Sequence, residues 1–219
     1  MKPLFFLSPD DDTSSGPADT TNTATVAGNN DAGDSGNSSD AGTVTASSPN
    51  AIQFDVAGTI PVIAQPKSMA CWATVTAMLM SWKQQQSMTI ETAMDSLGSD
   101  FRKIFDDNTG LAPDRVQDLA TATGMTIEYQ KCETPQSILQ LLQSYGPISI
   151  VDNEGSTTNS AVHNRIIQGI YGDGTIANTF LKIIDPDGGQ TYNESFDTFA
   201  SKYEGMSEAN GWNLQMMHY

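Results

Sequence analysis

Cysteine and histidine are nearly absent from this chain. Its 219 residues hold two of each. Two cysteines, Cys71 and Cys132, provide no disulfide framework, so the sequence reads as one that folds in a reducing compartment, the cytoplasm of the producing cell. Their scatter relative to His163 and His218 shows neither C-x-x-C nor H-x-x-x-H spacing, which argues against a zinc site. Positive charge is scarce too: 10 Lys and Arg stand against 26 Asp and Glu, a formal net charge of −16. Such a chain lacks the basic face that nucleic acid requires, and an anionic membrane surface repels it. Long apolar runs are missing, so no bilayer-spanning helix is expected. Met1-Lys2-Pro3-Leu4-Phe5-Phe6-Leu7 starts like a signal peptide, but the run is short and Asp10-Asp11-Asp12 follows at once. No Sec signal is read there, and export by a Sec-independent system stays open.

From Ser8 to Asn50 the chain has no Lys, no Arg and no aromatic residue; Asp, Gly, Ser, Thr, Ala and Asn fill it. Such a composition buries too little apolar surface to offset its ordering entropy. Residues 1–51 are expected to form a disordered acidic tail, and residues 52–219 a single domain.

Within the domain, Ile60 to Ile63 reads as a short entry strand. Trp72, Val75, Leu79 and Trp82 recur at helical spacing and predict a mostly buried helix from Cys71 to Lys83. Thr89 to Phe105 reads as a second helical stretch, capped by Thr89 and interrupted near Gly98. Ala112-Pro113-Asp114 opens a third that Gly124 stops, and Thr134-Pro135 opens a fourth that Gly146-Pro147 stops. Thr126 to Tyr129, Ile148 to Val151 and Trp212 to Met217 read as strands, Asp152 to Ser160 as a polar loop, and Phe196 to Tyr203 as a short helix. Helices first and antiparallel strands later is the pattern of an α+β fold.

One cysteine stands out. Cys71 opens the buried helix, and a helix N-terminus favours a thiolate. Gln65 precedes it by six residues, close enough for its amide to serve an oxyanion. His163 lies in an apolar strand ending near Tyr171, and Phe180 to Ile184, closed by Asp185-Pro186, forms a second. The glycine-rich Gly172-Asp173-Gly174-Thr175 between them predicts a hairpin. A turn centred near Gly174 sets His163 opposite Asp185, and a one-residue slip would turn Asp185 to the other face. The residues thus offer a nucleophile, a base and a carboxylate that orients the base. Cys132 has no such setting and reads as an ordinary free thiol. His218 sits at the terminus, and Trp72 and Trp82 read as core.

Gln65, Ala70-Cys71-Trp72, His163 and Asp185, in that order, resemble a papain-like cysteine peptidase. The phrasing from Ile60 to Lys83 and from His163 to Pro186 is closest to compact bacterial effector proteases of that group. The resemblance spans roughly residues 58 to 190. Ser68 and Met69 replace a Cys and a Gly of the papain signature. Asn164 and Arg165 follow the histidine where small or apolar residues are usual, and Asp187-Gly188-Gly189 follows Asp-Pro where an aromatic is common. The resemblance implies a papain-like fold, with an N-terminal helical part carrying the nucleophile and a C-terminal antiparallel sheet. It also implies a cysteine endopeptidase that needs no cofactor or metal, a protein or peptide substrate, and delivery into another cell as an effector or toxin. An immunity or secretion-adaptor protein would be a further partner in that setting. The same side chains also serve a glutamine deamidase, a transglutaminase or a cell-wall amidase, and a catalytically silent binding module of the same fold is the rival from another class.

Overall fold

Helix formation in this domain follows local chemistry closely. The computed structural model describes residues 51–128, 131–154, 162–210 and 215–219, the side chains of 206–210 and 215 excepted. The expected acidic tail, most of the expected 152–160 loop and the start of the expected last strand at Trp212 lie outside the described residues.

Helix α1 (Cys71–Gln84) is buried along one continuous stretch from Cys71 to Ser81. Its polar residues are satisfied internally: the Thr74, Thr76 and Ser81 hydroxyls donate to the carbonyls of Ala70, Trp72 and Ala77, four residues back. Fully buried side chains such as Leu79 each contribute about 1.5–3 kcal/mol of apolar transfer. Gly98, at φ 113°, divides the next helical stretch into α2 (Ile90–Leu97) and α3 (Ser99–Asp107). Thr89 caps α2, its hydroxyl accepting from the Thr92 N–H. A 3₁₀ turn, Pro113–Arg115, leads into α4 (Val116–Thr123), and Gly124 ends that helix in the left-handed conformation. Thr134 and Ser137 form a reciprocal capping box at the start of α5 (Pro135–Tyr145).

The strands are β1 (Ile52–Asp55), β2 (Thr126–Glu128), β3 (Ile148–Asn153), β4 (Val162–Gly172), β5 (Thr179–Asp185), β6 (Gln190–Ser195) and β7 (Gln215–His218). Among the described residues they form one antiparallel sheet in the order β2-β7-β3-β4-β5-β6, with β1 also paired to β4. β4 is the long central strand. Its first half pairs with β3 and its second half with β1, while β5 lies along its other edge. Helix α6 (Phe196–Asn210) packs against β3, β5 and β6.

Three expectations need correction. Ile60 to Ile63 is not a strand; the entry strand is β1, eight residues earlier, whose alternation of half-buried and exposed residues is too short to stand out. β6 carries no apolar alternation to mark it as a strand, because Gln190–Ser195 is mostly polar. The helix expected to end at Tyr203 runs on to Asn210.

The hairpin β4–β5 also departs from its expected register. Ile166 pairs with Ile184 and Ile167 with Ile183, but past the turn side Gly169 pairs with Lys182, so the register shifts at Gln168. The carbonyl of this extra residue accepts the Val56 N–H just beyond β1, at 3.0 Å. Without the bulge, continuation from the turn would place Asp185 opposite Ile166, on the face away from His163. With it, Asp185 falls opposite Arg165, on the face that His163 shares. His163 and Asp185 are therefore diagonal neighbours and not a directly opposed pair; the residue directly opposite His163 is Asp152 of β3.

Candidate active site

Cys71 is the first residue of α1, and Ala70 ahead of it supplies no side-chain cap. No acidic residue sits in the first turn, and Lys83 lies in the last. The positive end of the helix is thus left to the Cys71 sulfur. The loop before Cys71 is pinned to α3: Asn108 accepts from the Met69 N–H at 2.9 Å and donates to the Ser68 hydroxyl at 3.2 Å. Lys67 Nζ donates to the last carbonyls of α3, those of Phe105 and Asp106, both at 3.2 Å.

His163 comes from β4 and is buried. Its Nε2 lies 2.7 Å from Asp185 Oδ1. Its Nδ1 makes no hydrogen bond with another described residue, and the Cys71 side chain is the neighbour that acts with Asp185 on the ring. Burial works against the imidazolium, but the hydrogen bond with Asp185 and the interaction with Cys71 outweigh it and push the His163 pKa up to about 10. Asp185 ends β5. Burial opposes its charge as well, yet the His163 hydrogen bond, the His163 charge and the Asp187 backbone N–H at 2.8 Å hold its pKa below the usual carboxylate value.

Gln65 lies in the extended segment before α1. Its backbone N–H donates to the Pro186 carbonyl at 2.7 Å, and its side-chain amide donates to the carbonyls of Lys67 and Ser68. The turn after Asp185 presses on this segment. Gly189 has φ 61°, and a Cβ there would stand 2.8 Å from the Ala64 backbone nitrogen. Glycine at that position is therefore a requirement of close approach.

The structure brings Cys71, His163 and Asp185 together and places Gln65 on the loop that leads to Cys71. It leaves the other candidates elsewhere. Cys132 is exposed. His218 is buried in β7, stacked on Tyr145 with ring centroids 3.9 Å apart and bonded to Glu128 at 3.0 Å, so it has a structural place and not a frayed end. Trp72 is fully buried beside Phe101, as expected of core. Among the described residues no group of three or more His, Cys, Asp or Glu side chains is arranged to hold a metal.

Residue-level reading missed a buried ionic cluster beneath this site. Arg165 has no solvent exposure. Its guanidinium donates to Asp152, to both Glu194 oxygens at 3.1 Å and to the Tyr192 hydroxyl at 2.6 Å. Glu154 lies 3.2 Å from its Nε, and Lys202 of α6 bridges Glu154 and Glu194. Burial pushes the Asp152 pKa up to about 6 against the pull of Arg165. The available signal was alternation: Arg165 is two residues from His163 in a strand, and so shares its face.

A family profile described as papain-like cysteine protease AvrRpt2 matches residues 50–204. This chain belongs to that family. Membership makes it a papain-like cysteine protease, a hydrolase acting on peptide bonds in protein substrates, and the α+β architecture agrees. No curated protein matched the chain.

Proposed function

We propose that this cysteine protease works through a Cys71-His163-Asp185 triad, with the Cys71 backbone N–H and the Gln65 side chain as oxyanion hole, the Gln65 amide exchanging its bonds to the Lys67 and Ser68 carbonyls for one to the oxyanion. The observation that carries the reading is a buried histidine held between a helix-terminal thiol and a carboxylate 2.7 Å from its Nε2. Asp185 fixes Nε2–H, which leaves Nδ1 as the working nitrogen towards Cys71.

The Cys71 thiolate attacks the scissile carbonyl carbon, and the electron pair of the C=O bond moves onto oxygen. Collapse of that intermediate expels the amine, which takes the proton from His163 Nδ1 and leaves a thioester on Cys71. His163 then takes a proton from water as the water oxygen attacks the thioester. The acid product departs and the Cys71–His163 pair is restored. Digestion of a peptide library by the protein and by Cys71→Ala, read by mass spectrometry, tests this. New peptide termini from the wild type alone support it; deamidated or cross-linked products without cleavage would replace it with another acyl transfer.

Action as a bacterial effector inside another cell is part of the same proposal. Family membership and the acidic, apolar-poor first fifty residues support it. Among the described residues no helix is long and apolar enough to cross a membrane. Fusion to a reporter that signals only in a recipient cytosol checks the delivery.

A further inference from the structure

The Asp185 carboxylate is held by more than the histidine it faces. Its Oδ1 carries the His163 contact and the Asp187 N–H. Its Oδ2 accepts from the Tyr192 hydroxyl at 3.1 Å. That hydroxyl in turn accepts from Arg165 at 2.6 Å. Tyr192 is two residues beyond Gln190, the partner of Asp185 across β5 and β6, so it shares the face of Asp185. Arg165 reaches the same face through the bulge at Gln168. Arg165 is itself fixed from three sides, by Asp152 on β3, Glu194 on β6 and Glu154 after β3.

We propose that Tyr192 and Arg165 are positioning residues that act on peptide cleavage through Asp185, locking its carboxylate so that His163 keeps Nδ1 directed at Cys71. The inference rests on the triad reading above. A carboxylate anchored at one oxygen alone can rotate about its Cα–Cβ and Cβ–Cγ bonds. A donor on the second oxygen removes that freedom, and small misplacements of reacting groups are costly in rate. Arg165 orders the chain of donors: a guanidinium only donates, so the Tyr192 oxygen accepts from it and turns its single proton to Asp185. The two residues touch neither thiol nor imidazole through any of these bonds. They set a geometry and take no part in the chemical step.

The test is a double-mutant cycle with the peptide selected from the library digest. Tyr192→Phe removes one hydroxyl from a half-buried ring and keeps its packing, and thermal unfolding confirms an intact fold. It should lower kcat about tenfold with KM within about twofold. In an Asp185→Ala background the same substitution should change kcat less than twofold, because its route is gone. Arg165→Lys, which keeps the charge but loses the fork, should lower kcat and should not add to Tyr192→Phe. ¹⁵N spectra of the His163 ring give a readout free of turnover: Tyr192→Phe should shift the Nε2–H resonance. Equal losses in both backgrounds, or ring resonances identical to wild type, would overturn the proposal. Full activity of Asp185→Ala alone would instead remove the triad reading beneath it.

Discussion

The backbone N–H of Gln65 donates to the carbonyl of Pro186 at 2.7 Å, joining the segment that leads into the nucleophile helix to the turn that follows the acidic residue. The proposed oxyanion donor and the proposed third triad member are thus parts of one mechanical unit. A shift of the β5–β6 turn would move both.

Gln65→Ala should lower kcat by about 10²–10³ and leave KM nearly unchanged, the loss expected for one oxyanion donor. Labelling of Cys71 by iodoacetamide should hardly change, since the amide acts on the transition state. A normal kcat with a raised KM would assign Gln65 to substrate binding.

Cys71 and Cys132 should separate cleanly in alkylation. Cys71 stands at a helix N-terminus beside a histidine held as imidazolium, whereas Cys132 is an exposed thiol with no such partner. At pH 6 iodoacetamide should modify Cys71 far faster, read by peptide mapping, and His163→Ala should abolish the difference. Equal rates in the wild type would sink the activation argument.

His163→Ala should eliminate measurable turnover with the fold retained. Asp185→Asn should cost less, since an amide oxygen still accepts from Nε2–H; losses for the wrong tautomer in the serine template reach about 10⁴. Steady-state kinetics with circular dichroism on each variant checks the order. A larger loss for Asp185→Asn than for His163→Ala would reverse the roles.

The raised pKa of His163 fixes the sign of the alkaline behaviour. Its folded value, about 10, lies above the ordinary 6.5, so the stability it contributes is complete below about pH 6.5 and is lost as pH rises through 10. Activity should persist to about that pH. The lowered value of Asp185 acts at the other end: its contribution is present above the usual carboxylate range and is lost as pH falls through its folded value. Rate profiles and unfolding midpoints at several pH values test this, with His163→Ala losing less stability than wild type between about pH 6.5 and 10.

Arg165→Met should destabilise the fold by about 3–5 kcal/mol, because it strands the buried carboxylates of Asp152 and Glu194 and the half-buried one of Glu154, with Lys202 as the remaining cation beside the two glutamates. Urea denaturation measures it. An unchanged midpoint would mean that those carboxylates take up protons at no cost.

Much of the active site is written in local chemistry. A thiol at the head of a buried helix, a glutamine six residues before it, and a histidine and an aspartate on strands around a glycine-rich turn are properties of neighbours in the chain. So are the helix limits, since Thr89, Gly98, Gly124 and Thr134 act on the residues next to them. The sequence by itself determined the family, the α+β class and the candidate nucleophile, base and carboxylate. Only tertiary structure decided how that carboxylate meets its base. A single extra residue at Gln168, its carbonyl taken up beside β1, sets which face Asp185 occupies, and nothing near Asp185 in the chain encodes it. The same holds for Arg165: an arginine in an apolar strand is intelligible only once Asp152, Glu154, Glu194 and Tyr192 converge on it from separate elements, because a buried charge is tolerable only where the fold supplies its counter-charges.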